Sequence, residues 1–99
     1  MILVVGTVRV PEAAFETARG AMEAMIAATR AEDGCIRYAF AQDILDPQVM
    51  HISEAWRDRA ALAAHGQAPH MAEWRKAMGA VGVIERDLRL YDTDEGQPI

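Results

Sequence analysis

The chain has 99 residues, 52% hydrophobic and 25% charged, which fits one small globular domain over 1–99 and excludes a disordered or low-complexity protein. Its 10 Lys and Arg against 15 Asp and Glu give a net charge of −5, which argues against a nucleic-acid backbone or an anionic membrane as the main partner. A single cysteine, Cys35, excludes an intramolecular disulfide and fits a reducing compartment, so a cytoplasmic location is expected.

The opening MILVVGTVRV is apolar but has no basic flank, and Arg9 interrupts it too early for a signal peptide or a membrane span. Residues 2–10 read as a strand bounded by Pro11, apolar on both faces: Ile2, Val4 and Val8 on one, Leu3, Val5 and Thr7 on the other. That pattern asks for burial on both sides. Over 12–31 the period becomes helical, with Phe15, Ala18, Met22, Met25, Ile26 and Thr29 along one stripe, and Gly34 follows its end. A second strand is expected over 35–43, with Ile36, Tyr38 and Phe40 on one face, then a turn at 45–48. The third strand, VMHISEAWR (49–57), sets Met50, Ile52, Glu54 and Trp56 against Val49, His51, Ser53 and Ala55.

Asp58 suits the N-cap of a short helix running to about Ala64, which Gly66 stops. Pro69 then suits the first turn of a helix extending to about Val81, with Met71, Trp74, Met78 and Val81 on one face. A last strand, VIERDLRLY (83–91), alternates Ile84, Leu88 and Leu90 with Glu85, Asp87 and Arg89, and residues 92–99 read as a solvated tail. The order β-α-β-β-α-β is the ferredoxin-like α+β pattern: two helices over one face of a four-stranded antiparallel sheet. Because the first strand is apolar on both faces, a second copy of the sheet is the simplest cover for the other, and a homodimer is expected.

The stretch AHGQAPHM holds His65 and His70, five residues apart and so about 140° apart on a continuous helix. Gly66 and Pro69 break that helix, so the two imidazoles could converge on a metal only through an irregular bend, with His51 or Glu54 as third ligand. No metal site is expected from this spacing. Cys35 has no base partner in the sequence and reads as a small buried residue. Glu54 sits on an otherwise apolar strand face and needs a partner there. One reading pairs it with His65 or His70, making a carboxylate–imidazole proton-transfer site; another has it cap backbone N–H groups near Pro69. His70 reads mainly as an anchor for its helix, whereas His65 suits either role. Met22, Met25, Met71, Met78, Trp56, Trp74, Tyr38 and Phe40 fit plain core packing and also the walls of a pocket for a flat apolar ligand.

The run EDGCIRYAFAQDILDPQVMHISEAWRDRAALAAHGQAPHMAEW (32–74) resembles the core of the antibiotic biosynthesis monooxygenase family. The matching features are Gly34-Cys35, Tyr38, Pro47, Glu54-x-Trp56, Leu62-x-x-His65 and Pro69-His70. The resemblance implies a dimeric α+β barrel, two ferredoxin-like subunits packed sheet to sheet, with a pocket between sheet and helices in each. It also implies oxygenation of a small quinol or polycyclic phenol by O₂ without metal, flavin or haem, the protein helping to form the phenolate. On that basis His65 is the expected base with Glu54 beside it, and Trp56, Tyr38, Phe40, Thr7, His70 and Trp74 are the expected substrate-binding residues. Aligned on Glu54-x-Trp56, the Asn, Trp and His of haem-degrading relatives fall at Thr7, His65 and Arg75, which argues against haem degradation. An isomerase branch acting on a phosphorylated metabolite shares His65 and Pro69-His70, and Arg37, Arg57, Arg59, Arg75 and Lys76 could serve its phosphate. A non-catalytic dimeric ligand-binding module is the third alternative.

Overall fold

A computed structural model describes residues 1–99. Its elements are β1 (Ile2–Arg9), α1 (Ala14–Thr17), α2 (Arg19–Arg30), β2 (Cys35–Gln42), β3 (Val49–Trp56), α3 (Arg59–Gly66), α4 (Pro69–Val81) and β4 (Glu85–Asp92). The four strands form one antiparallel sheet in the order β2-β3-β1-β4. The apolar β1 is central, between β3 and β4, and the helices cover one face only. This is the ferredoxin-like α+β fold expected from the order of elements.

Registers fix which side chains meet the helices. Val4 pairs with Glu54 and Leu90, and Val8 with Met50 and Arg86, so even-numbered residues of β1, β3 and β4 share the helix-facing side. Tyr38 opposite Glu54 and Phe40 opposite Ile52 extend that side onto β2. Gly6 lies where β4 comes closest: a Cβ there would stand 1.9 Å from the Asp87 carbonyl oxygen. Only glycine lets these two strands pair at that point.

The core falls into two clusters. Val8, Val10, Ala14, Ala18, Met22, Met50 and Ile52 form one, and Ile2, Met25, Tyr38, Trp56 and Ala61 the other. The helix expected over 12–31 is interrupted at Ala18 (φ −106°, ψ 9°). Its N–H still donates to Ala14 O at 2.8 Å and its carbonyl accepts from Met22 at 2.9 Å, so the ladder survives the irregularity. In β2 the register shifts between Cys35 and Arg37, and this bulge throws Ile36 outward rather than beside Tyr38. Cys35 itself is half-buried. The last strand spans Glu85–Asp92 instead of 83–91, because Gly82 in left-handed geometry (φ 82°) ends α4 and Ile84 bonds Arg9 O outside the ladder.

The break between α3 and α4 has the expected chemistry. Asp58 Oδ1 accepts from the Ala61 N–H at 2.8 Å, capping α3, and Pro69 opens α4. No residue of α4 is fully buried: Trp74, Met78 and Val81 pack partly buried against the first core cluster, and Met71, Trp74 and Met78 also roof a hollow. No helix is long and apolar enough to cross a membrane.

Candidate active site

Between the helix-facing side of the sheet and α3–α4 lies a cavity of about 600 Å³. Val4, Val8, Ile52, Met71, Met78 and Leu88 give it mostly apolar walls. Its polar atoms come from few residues, the arrangement typical of a small-molecule site. Tyr38, Glu54, His65 and Trp74 line it as expected, and Arg75 and Arg86 do so too.

His65 and His70 do converge, through the bend that Gly66 and Pro69 create. Their ring centroids are 5.9 Å apart, and both meet one oxygen of Glu32, in the turn between α2 and β2. His65 Nδ1 lies 2.6 Å and His70 Nε2 2.9 Å from Glu32 Oε2. An ionised carboxylate only accepts, so each imidazole presents an N–H to it, and in His65 this leaves Nε2 as the free ring nitrogen. His65 is buried between Trp56 (centroids 4.8 Å) and Tyr38 (5.4 Å), which hold the ring plane in place.

Glu54 therefore pairs with neither histidine, and it caps no backbone group. Its Oε1 accepts the indole N–H of Trp56 at 2.8 Å, because the two side chains follow one another on the same strand face. Burial pushes its carboxyl above the usual 4.5, against the opposing pull of the Trp56 bond and nearby His65. Burial likewise raises the Tyr38 phenol, with Glu54 and Glu32 adding to the effect, so Tyr38 is a neutral wall. Cys35 is pushed up by the same cause and is a poor nucleophile.

The remaining expected binding residues stand back from the cavity. Trp56 is wholly buried beneath His65, and Phe40 stacks on Trp74 with centroids 5.2 Å apart, supporting a wall from behind. His70 reaches Glu32 rather than the cavity. Thr7 pairs with His51 on the opposite face of the sheet, where the odd-numbered residues of β1 point. His51 is held there by Asp43 at 2.7 Å, so it belongs to no cluster with the other two histidines.

Glu32, His65 and His70 offer three ligand atoms within 4.8 Å of one another, a two-histidine, one-carboxylate set that could hold a divalent cation. The third member of such a set would be Glu32, not His51 or Glu54. One signal for Glu32 was present in the sequence: it follows the C-terminal end of a helix, where the dipole disfavours an anion unless a donor comes from elsewhere.

The family profile described as antibiotic biosynthesis monooxygenase matches residues 1–77. A solved structure from Deinococcus radiodurans, a candidate antibiotic biosynthesis monooxygenase, superposes with a TM-score of 0.89 at 25% identity, covering 100% of this chain and 98% of that one. Rv0793 of Mycobacterium tuberculosis, named as a candidate monooxygenase, is 38% identical over 61 residues, 62% of this chain and 59% of that one. Its structure gives a TM-score of 0.83 over 98% of both chains, at 26% identity. The uncharacterised protein sll1783 of Synechocystis is 29% identical over 98 residues, 99% of this chain and 67% of that one. The chain belongs to the antibiotic biosynthesis monooxygenase family.

Proposed function

We propose that this protein is a monooxygenase of a small quinol or polycyclic phenol, using O₂ and no cofactor, with His65 as the base that forms the phenolate. The observation that carries this reading is the pinned imidazole. Glu32 holds Nδ1–H at 2.6 Å, fixing the tautomer and leaving Nε2 free on a residue that lines the cavity. When Nε2 takes the substrate proton, the Glu32 carboxylate stabilises the imidazolium. Glu32 is thus a positioning residue acting through His65, and His70 steadies it from the other side.

The electrons can come from the substrate alone. The phenolate ring passes electrons to O₂ and a ring carbon forms a C–O bond to it. Cleavage of the O–O bond then leaves a new carbonyl on the ring and releases the second oxygen as water. A quinol plus O₂ thereby becomes a hydroxyquinone plus water, and no further reductant is consumed. The apolar walls serve this step by stacking the ring and excluding bulk water. The same reading includes a homodimer formed through the uncovered sheet face and a cytoplasmic location.

Oxygen uptake with a panel of quinols and hydroxynaphthalenes tests it. Uptake with at least one of them, reduced about 10²–10⁴-fold in His65→Ala, is the expected result. Interconversion of isomers without oxygen would instead make His65 and Glu54 the proton carriers of a tautomerase. Binding without turnover would leave a ligand-binding module.

A further inference from the structure

The chain carries 15 acidic against 10 basic side chains, yet its cavity reverses that balance. Among the cavity residues the only carboxylate is Glu54, whereas Arg75, Arg86 and Arg89 all border it. Register separates the three. Arg89 pairs with Val5 on the far face and holds Asp87 at 3.2 Å. Arg75 donates to the Gly66 carbonyl at 3.1 Å. Arg86 is opposite Val8, on the helix-facing side, and has neither an ion pair nor a hydrogen bond within the chain. Arg37, Arg57 and Arg59, candidates for a phosphate, do not line the cavity, and Arg57 is tied to Asp33 and Asp58.

The position of Arg86 along the sheet also matters. Val4 marks the level of Glu54 and Val8 that of Arg86, four residues apart on β1 or about 13 Å from backbone to backbone, a span that the long Arg86 side chain shortens. His65 belongs to the Glu54 end, stacked on Trp56 and Tyr38. Ile52 and Leu88, at the level of Gly6, lie between the two ends that Val4 and Val8 mark. A ligand that satisfies both ends is therefore long, flat and apolar in the middle. It carries a hydroxyl at one end and an anion at the other.

We propose that the cavity selects an aromatic substrate bearing a carboxylate remote from its phenolic hydroxyl, and that Arg86 is the residue that reads the carboxylate. A planar guanidinium matches a carboxylate with two parallel N–H donors, and Arg86, exposed on the edge strand at the border of the cavity, is free to present them. The proposal deepens the phenol-oxygenation reading, on which it rests for the hydroxyl end only. Glu54 makes no ion pair or hydrogen bond with Arg86: its Oε1 takes the Trp56 N–H, and Arg86 acts on it only through space, drawing its carboxyl down.

Titration calorimetry of the full chain with 6-hydroxy-2-naphthoate and with 2-naphthol tests this, because the two differ only in the remote carboxylate. The naphthoate should bind about tenfold tighter or better, and added salt should erode that preference. In Arg86→Ala the naphthoate should bind no tighter than 2-naphthol, and Arg86→Lys should restore part of the preference. Equal binding of the two compounds, failure of both to bind, or a preference that survives Arg86→Ala would overturn the proposal. Circular dichroism of each variant separates loss of recognition from loss of fold. An Arg86-dependent preference in a protein that consumes no oxygen with any quinol would sink the oxygenase reading alone. Oxygen uptake that depends on His65 but is indifferent to the remote carboxylate would sink this proposal alone.

Discussion

Glu32 Oε2 receives two imidazole N–H groups, at 2.6 and 2.9 Å, so removing its charge strips both histidines of their common partner. Glu32→Gln keeps the shape but offers an amide that can turn an N–H toward His65 and favour the wrong tautomer. Oxygen uptake should fall about 10²-fold, with most of the change in kcat, while secondary structure persists. An unchanged kcat would show that Glu32 does not position the base. Glu54 makes a different prediction, about pH. Its carboxyl is raised above 4.5 by burial, so the folded chain binds a proton there that the unfolded chain has released. Stability from this group is therefore present below pH 4.5 and lost as pH rises through the folded value. The lowered aspartates act oppositely and in another window: Asp43, held down to about 2 by His51, adds stability that is lost as pH falls below 3.8 toward 2. Glu54→Gln can still accept the Trp56 N–H and should remove the decline above pH 4.5, read as a flatter urea midpoint between pH 4.5 and 7. A midpoint that falls as steeply as in the parent chain would contradict this. The place of His65 on a cavity was legible in the sequence because the residue and the Gly–Pro break lie close together along the chain. Glu32 was hardly so: only its place after a helix end pointed to it, and the contact that gives it a role spans 33 residues.

The turn between α2 and β2 is the element that delivers Glu32, and it is held from several sides. The Glu32 N–H bonds Thr29 O at 3.0 Å, the Arg57 N–H bonds Gly34 O at 2.8 Å, and the Arg57 guanidinium grips Asp33 with two bonds of 3.2 Å. Gly34 has φ 84°, and a Cβ there would stand 2.6 Å from Ala61 Cβ, at the first turn of α3. Gly34→Ala meets both penalties at once, backbone strain and a clash with a helix that cannot easily move. A loss of about 1–3 kcal/mol in urea denaturation is expected, together with a fall in activity as the turn shifts Glu32 away from His65. Stability within a few tenths of a kcal/mol of the parent would show that the turn adapts. Strand and helix positions followed from period, and caps from Asp58 and Pro69, because these are local properties of the chain. The Ile36 bulge, the Ala18 interruption and the shifted start of β4 were not legible. The bulge arises in pairing with β3 and the start of β4 partly in the Ile84 bond to Arg9, both distant in sequence, while the Ala18 irregularity has no marker such as Gly or Pro in the sequence.

At the scale of the whole molecule, the helices cover one side of the sheet and nothing in the chain covers the other. An antiparallel sheet can face water if that side is polar. On β1 it is not: Leu3 and Val5 point there, with Ala55 and Ser53 opposite them on β3 and Ala39 next on β2. Val5 is 37% exposed although it stands on a central strand, and Tyr91, beside Leu3, is 48% exposed. A second copy of the same face would bury these residues against their own equivalents, which is the self-complementarity a two-fold dimer requires. Sedimentation should accordingly find twice the 10.9 kDa of one chain at micromolar concentration. Val5→Asp would set two carboxylates into that interface without touching the helix-facing core or the cavity. Its dissociation constant should rise at least a hundredfold, with the helical circular dichroism retained. A parent chain that sediments at 10.9 kDa would leave the face to water. If instead the Val5→Asp monomer forms but loses oxygen uptake, the sheet contact would also be holding the far side of the cavity in shape, since β1 supplies Val4 and Val8 to one face and Val5 to the other.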